Sequence, residues 1–174
     1  MLWTNRIFCG MIKDSVYLRD RQMRNLGGIK SMRKVVKFGG SSLASAEQFK
    51  KVGDIIRADK GRKYVVPSAP GKRFDGDIKV TDMLYACYAK AEKKEDITAS
   101  IAAIRERYME IINGLGLSLS LDDQFEVISE NFKKLAGSNY AASRGEYLNG
   151  IIMANYLGFT FVDAADVIRF DAEG

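Results

Sequence analysis

The chain has 174 residues, 47% of them apolar, and a formal net charge of +5. That fits one domain, or one domain with an appendage, with enough apolar side chains for a sizeable core. No apolar run reaches the roughly 18 residues of a membrane span, and histidine is absent, which excludes imidazole bases, Ser-His and Cys-His nucleophile pairs and histidine metal sites.

Residues 1–31 carry six Lys/Arg against two Asp and so hold most of the net charge. The remainder is nearly neutral, and bulk charge gives no argument for a nucleic-acid partner. No signal peptide is legible: the apolar stretch Ile7–Ile12 is short, broken by Gly10, and followed by no small-residue cleavage site. The junction reads NLGGIKSMRKVVKF. Gly27-Gly28 is encodable as a bacterial ribosome-binding sequence, three codons ahead of Met32. We read Met32 as the start and residues 1–31 as a non-native or disordered extension. The alternative is a genuine basic extension. Cys9 and Cys87 fit no metal or redox spacing and suit reduced thiols in the cytoplasm.

From Met32 onward the periodicity is clean. Lys34–Phe38 reads as a short buried strand. A helix follows, with a capping box from Ser45 to Gln48 and an apolar stripe of Leu43, Phe49, Val52, Ile55 and Ile56. Residues 64–67 (YVVP) form the next strand. Strand, helix and strand in about 30 residues make a βαβ unit and a parallel sheet. After a loop at 68–79 come helices over about 80–94, 98–112 and 122–135. They bury Leu84, Cys87 and Tyr88, then Ile104, Tyr108 and Ile111, then Phe125, Ile128 and Phe132. GSNYAA reads as a turn or weak joint, 143–158 as a helix ending at Gly158, and 159–164 as a third strand.

Four segments hold residues suited to chemistry. In KFGGSS, a strand runs into Gly39-Gly40 and a helix start. Glycines allow close approach to the backbone, and free amides at a helix N-terminus attract phosphate. Lys37 adds a charge, and Ser41 and Ser42 add hydroxyls. VVPSAPG repeats the geometry, with Ser68 and Gly71 past a strand end, where ligands sit in open parallel sheets. An ordinary turn explains either segment as well. Gly71-Lys72 is not a Walker motif, since Val66 and Arg73 stand where that motif has Gly and Ser/Thr. In KVTDML, Thr81 and Asp82 open a helix, where capping explains them equally. In SRGEYL, Ser143 and Glu146 have capping-box spacing. Gly145 inside the first turn costs about 1 kcal/mol and permits close approach by a ligand or another backbone.

In this order the four segments resemble the N-terminal part of the aspartokinases, within the amino-acid kinase superfamily, over about residues 33–170. The resemblance implies an α/β fold, a three-layer αβα sandwich around a mainly parallel sheet, here truncated, with residues 32–174 as the N-terminal portion of the kinase domain. It implies transfer of the γ-phosphoryl group of ATP, with Mg²⁺, to the side-chain carboxylate of L-aspartate, the first step toward lysine, threonine and methionine. Position by position, Lys37 matches the lysine that neutralises the transferring phosphate. Gly39 and Gly40, with Ser41 and Ser42, match the phosphate-holding turn. Ser68, Thr81 and Glu146 match substrate-binding positions, Glu146 facing the ammonium group. No protein metal ligand is expected, no nucleic-acid or membrane partner, and a homo-oligomer only in the full-length enzyme. Pro67 and Pro70 depart from the smaller residues of many relatives. The isolated chain is expected to turn over poorly, for want of the domain's second half. The alternatives are a kinase acting on glutamate or N-acetylglutamate, and a non-catalytic fragment that pairs with a separate second half.

Overall fold

The computed structural model describes residues 6–9 and 32–168. The elements in chain order are β1 (Arg6–Cys9), β2 (Lys34–Phe38), α1 (Ala46–Arg57), β3 (Arg62–Pro67), α2 (Val80–Glu92), α3 (Thr98–Gly114), α4 (Asp122–Lys133), α5 (Ser138–Leu157), β4 (Thr160–Asp163) and α6 (Ala164–Val167). The described strands form one four-stranded sheet in the order β2-β3-β1-β4, parallel at each pairing. The α/β class and the parallel β2–α1–β3 unit agree with the sequence reading.

Residues 1–31, read as an extension, supply the four residues of β1. These pair with β3 at Arg6↔Tyr64 and Ile7↔Val65, and with β4 from Arg6↔Thr160 to Cys9↔Asp163. The rest of that segment lies outside the described residues.

β2 is an edge strand, not the buried strand expected from its sequence. Val35 is 60% exposed, while Val36 and Phe38, on the other face, pack against the core. Alternation of this kind marks a half-covered edge. In β3, Val65 and Val66 are both buried.

The helices follow their apolar stripes. Ser45 caps α1, its Oγ accepting from the Gln48 N–H at 3.4 Å. Leu43, Phe49, Val52 and Ile56 are buried, but Ile55 is 48% exposed and lies off the stripe. Leu84, Cys87 and Tyr88 of α2 meet Ile104, Tyr108 and Ile111 of α3 and Phe125, Ile128 and Phe132 of α4 in one core. Tyr88 and Phe132 pack edge to face at 5.5 Å between ring centroids, a favoured aromatic geometry. Gly158, in the left-handed region at φ 67°, ends α5 as expected.

Pairing of β2 with β3 sets up the rest. Phe38 stands opposite Pro67, so the two chains leave the sheet side by side. The Ser68 N–H donates to the Phe38 carbonyl at 3.0 Å, and the Gly71 N–H to the Gly40 carbonyl at 2.8 Å. Residues 39–41 and 68–71 therefore leave as one double-stranded lip at the C-terminal edge of the sheet.

Candidate active site

Glycine at two of these positions is a packing requirement. A Cβ on Gly40 would lie 2.8 Å from the Ala69 carbonyl oxygen, and one on Gly71 would lie 2.7 Å from the Gly40 carbonyl carbon. The two turns touch backbone to backbone, at a distance that excludes side chains. Gly39 differs. A Cβ there meets nothing within 4 Å, and its backbone is extended at φ −76°. Gly39 is exposed, and the side on which its Cβ would stand is open to a ligand.

The long helix expected to begin at the glycines does not begin there. Gly40–Leu43 forms one turn of 3-10 helix, and α1 starts only at Ala46. Any anion held at Gly39–Ser42 thus meets turn amides, not the N-terminus of α1.

α5 forms the second wall. SRGEYL was expected at a helix start, and the structure corrects this: α5 begins at Ser138, and Ser143 to Glu146 lie inside it. Ser143 caps nothing; its Oγ donates back to the Tyr140 carbonyl at 2.8 Å, a common outlet for serine within a helix. GSNYAA, read as a joint, is the first turn of this helix. Gly145 is approached closely by a side chain, where a ligand or another backbone was expected. A Cβ there would lie 2.6 Å from the Ala69 Cβ. Asn149, one turn later and fully buried, donates from Nδ2 to the Ser68 carbonyl at 2.6 Å. Tyr108 of α3 donates its hydroxyl to the Gly145 carbonyl at 2.8 Å. α5 is thereby held against Ser68 and Ala69, and Glu146 is carried to the cleft beside them.

The third wall is the start of α2. Its N-cap is Lys79, with no side-chain cap hydrogen bond, and Thr81 lies in the first turn. Capping does not occupy Thr81, which is half-buried and lines the cleft.

The cleft enclosed by these walls has a volume of about 520 Å³. It brings together Gly40, Ser41, Ser68, Thr81 and Glu146 of the predicted set. Lys37, Gly39 and Ser42 are exposed beside it and do not line it. The cleft also takes in Lys72, which the sequence reading weighed only as part of a rejected Walker motif, and Lys79, which it did not single out. Asn149 was likewise missed, since its role rests on contact with Ser68, 81 residues away in the chain.

Glu146 is the carboxylate on the lining. Burial pushes its pKa above the usual glutamate range, against the opposing pull of its own backbone N–H, that of Ala69, and the charges of Lys37 and Arg144. Such a carboxylate is poised to accept an ammonium group that repairs its lost solvation. Among the described residues no three acidic or cysteine side chains group as a metal site. Among the described helices, none is long and apolar enough to cross a membrane.

Residues 32–174 match the Amino acid kinase family. The chain belongs to that family. Among curated members, it is 40% identical to Aspartokinase 3 of Bacillus subtilis over 147 residues, which is 80% of this chain and 32% of the relative. It is 27% identical to the chloroplastic bifunctional aspartokinase/homoserine dehydrogenase 1 of Arabidopsis thaliana over 156 residues, 77% of this chain and 16% of that one. Among solved amino acid kinase structures, Clostridium acetobutylicum aspartate kinase superposes with a TM-score of 0.78 at 48% identity, over 82% of this chain and 33% of that one. The E. coli aspartokinase III structure with aspartate and ADP shares the fold, with a TM-score of 0.51 at 24% identity over 71% of this chain and 28% of its own. The chain thus spans about a third of the length of the first curated relative and of the Clostridium enzyme.

Proposed function

We propose that this chain is the N-terminal, phosphate- and amino-acid-binding part of an aspartate kinase, transferring the γ-phosphoryl group of ATP to the side-chain carboxylate of L-aspartate. The product is 4-phospho-L-aspartate, at the head of lysine, threonine and methionine biosynthesis in the cytoplasm. The observation that carries this reading is the single cleft. Four segments spread over more than a hundred residues deliver Gly40 and Ser41, Ser68, Thr81 and Glu146 to one space.

The chemistry asks little of a base, because the attacking group is already a carboxylate. The barrier lies in bringing two anions together, and fixed donors and cations lower it. In this reading the open side of Gly39, the Gly40–Ser42 turn and the Lys37 ammonium hold and neutralise the phosphoryl oxygens. Ser68 and Thr81 hydrogen-bond the amino acid, and Glu146 takes its ammonium group. The cleft is lined by residues from the N-terminal part of the family fold, and the chain spans about a third of the length of its first curated relative. Turnover by this chain alone is therefore expected to be low. Residues 32–174 are read as the N-terminal portion of the kinase domain, with homo-oligomers expected of the full-length enzyme. Intact mass of the native protein decides between starts at Met1 and Met32.

The test separates binding from turnover. Calorimetry on the 174-residue chain is expected to detect ADP and L-aspartate. A chimera carrying residues 32–168 in place of the matching part of the B. subtilis relative is expected to form hydroxylamine-trappable acyl phosphate with L-aspartate, but not with L-glutamate or N-acetyl-L-glutamate. Preference for either of those acceptors would overturn the assignment.

A further inference from the structure

We propose that Lys72 and Lys79, on the loop between β3 and α2, form a cationic wall of the cleft that takes an oxyanion of the bound ligand. This rests on the kinase reading above and adds two residues to it.

The loop is pinned from behind. Arg107 of α3 is 5% exposed and donates from Nη2 to the Gly71 carbonyl at 2.9 Å. Its Nη1 lies 3.5 Å from Asp77 Oδ2. Arg73 donates to Asp77 from its backbone N–H and Nε, both at 2.9 Å, and from Nη2 at 3.0 Å. Its Nη1 reaches Glu110 of α3 at 2.6 Å. Burying a guanidinium is costly unless it is paired and hydrogen-bonded. Arg107 meets that condition in part: Nη2 is hydrogen-bonded and Nη1 lies near Asp77, while Nε and Nη1 make no hydrogen bond, and the contacts tie residues 71, 73 and 77 to α3.

This cluster consumes two arginines and two carboxylates and leaves two lysines over. Lys72 lies between the anchors at Gly71 and Arg73, and Lys79 just beyond Asp77. Both line the cleft. Neither makes an ion pair or a side-chain hydrogen bond among the described residues. Lys79 is also the N-cap of the 13-residue helix α2, whose N-terminal dipole favours an anion at the same place. Lysines on a floppy surface loop are ordinarily solvated and non-committal. These two are exposed, but they stand on a loop whose backbone is anchored at Gly71, Arg73 and Asp77, beside a cleft whose one lining carboxylate is Glu146. That arrangement is bipolar: an ammonium group suits the Glu146 side and an oxyanion the lysine side.

Two sources supply that oxyanion, a phosphoryl group of the nucleotide and the α-carboxylate of the amino acid. The 174-residue chain and its Lys72→Met, Lys79→Met and double variants would be titrated calorimetrically with ADP, inorganic pyrophosphate, L-aspartate and L-aspartic acid 1-amide. Lys93→Met, exposed beyond the end of α2, serves as the control. Each cleft lysine is expected to contribute about tenfold in affinity, the scale of a charge-assisted hydrogen bond. A phosphoryl source predicts losses for ADP and pyrophosphate only. A carboxylate source predicts a loss for L-aspartate and none for the 1-amide, which already lacks the charge. Either pattern supports the proposal. A double variant that binds ADP and L-aspartate within twofold of the parent overturns it and leaves the kinase reading intact. A parent that binds none of the four probes overturns both.

Discussion

Gly145→Ala offers a direct test of how α5 is seated. Helix propensity alone predicts a gain, since alanine is about 1 kcal/mol better than glycine inside a helix. The packing predicts the opposite. The new Cβ would lie 2.6 Å from the Ala69 Cβ and 3.3 Å from Leu84 Cδ1. Ordinary carbon contacts lie at about 3.5–4.0 Å, so helix and loop must separate by about 1 Å. The Leu84 methyl can rotate away, but Ala69 has no rotamer to change. Separation strains the Asn149–Ser68 hydrogen bond at 2.6 Å and draws Gly145 against the Tyr108 hydroxyl that holds it at 2.8 Å. Overpacking of this kind costs about 1–3 kcal/mol, and one weakened buried hydrogen bond adds about 1 kcal/mol. After the propensity gain, a net destabilisation of about 1–3 kcal/mol is expected.

Urea unfolding of the 174-residue chain measures this, and a double-mutant cycle with Ala69→Gly isolates the cause. Removing the Ala69 methyl opens the space that the new methyl needs. The pair is expected to couple favourably by about 1–2 kcal/mol, within the range seen for residues in contact. If Gly145→Ala instead gains the full propensity benefit and the coupling is near zero, α5 does not rest on Ala69, and the placement of Glu146 described above is wrong.

Four further outcomes are expected. Because burial holds the Glu146 pKa above the usual range, affinity for L-aspartate should fall on acidification while ordinary glutamates are still ionised; Glu146→Gln should bind about 10- to 100-fold more weakly, the scale of a charge-assisted hydrogen bond, and without that pH dependence. The native state binds this proton more tightly than the unfolded chain, so ionised Glu146 costs stability; Glu146→Gln should melt higher than the parent at neutral pH, with the difference shrinking as pH falls through the raised pKa. Gly40→Ala should cost about 1–3 kcal/mol by overpacking against Ala69 and Gly71, whereas Gly39→Ala should leave urea unfolding nearly unchanged and weaken ADP binding; equal stability losses in both would refute the distinction. Cys87 is fully buried and its thiol is pushed up to about 11 by burial, so peptide mapping should find it unalkylated by iodoacetamide at pH 8 until denaturant is added.

What was legible in the sequence divides along a physical line. The bounds of α2, α3 and α4 fall within two residues of the sequence expectation because each helix buries one stripe and exposes the rest. The start of α5 was missed because α5 has no such stripe. Ala141, Ala142, Gly145, Leu148, Gly150 and Ile152 bury different sides of it against the sheet and the other helices. With the periodic signal gone, the Ser143–Glu146 spacing passed for a helix start, although the serine only bonds back one turn. At the site, Ser41, Ser68, Thr81 and Glu146 stood out because each sits in a short local pattern. Lys72, Lys79 and Asn149 did not, because their roles depend on contacts with elements tens of residues away. The glycines hold the sharper lesson. KFGGSS reads locally as a phosphate turn, and both its glycines invite one explanation. In the structure they separate: Gly40 is required by the backbone of residues 69–71, and Gly39 alone keeps its free face. No local motif carries that distinction, because it arises only when β2 and β3 pair and bring residue 40 against residue 71. A glycine-rich signature after a strand is therefore two requirements superposed, one set by the ligand and one by the neighbouring turn, and the pairing of the strands determines which glycine answers to which.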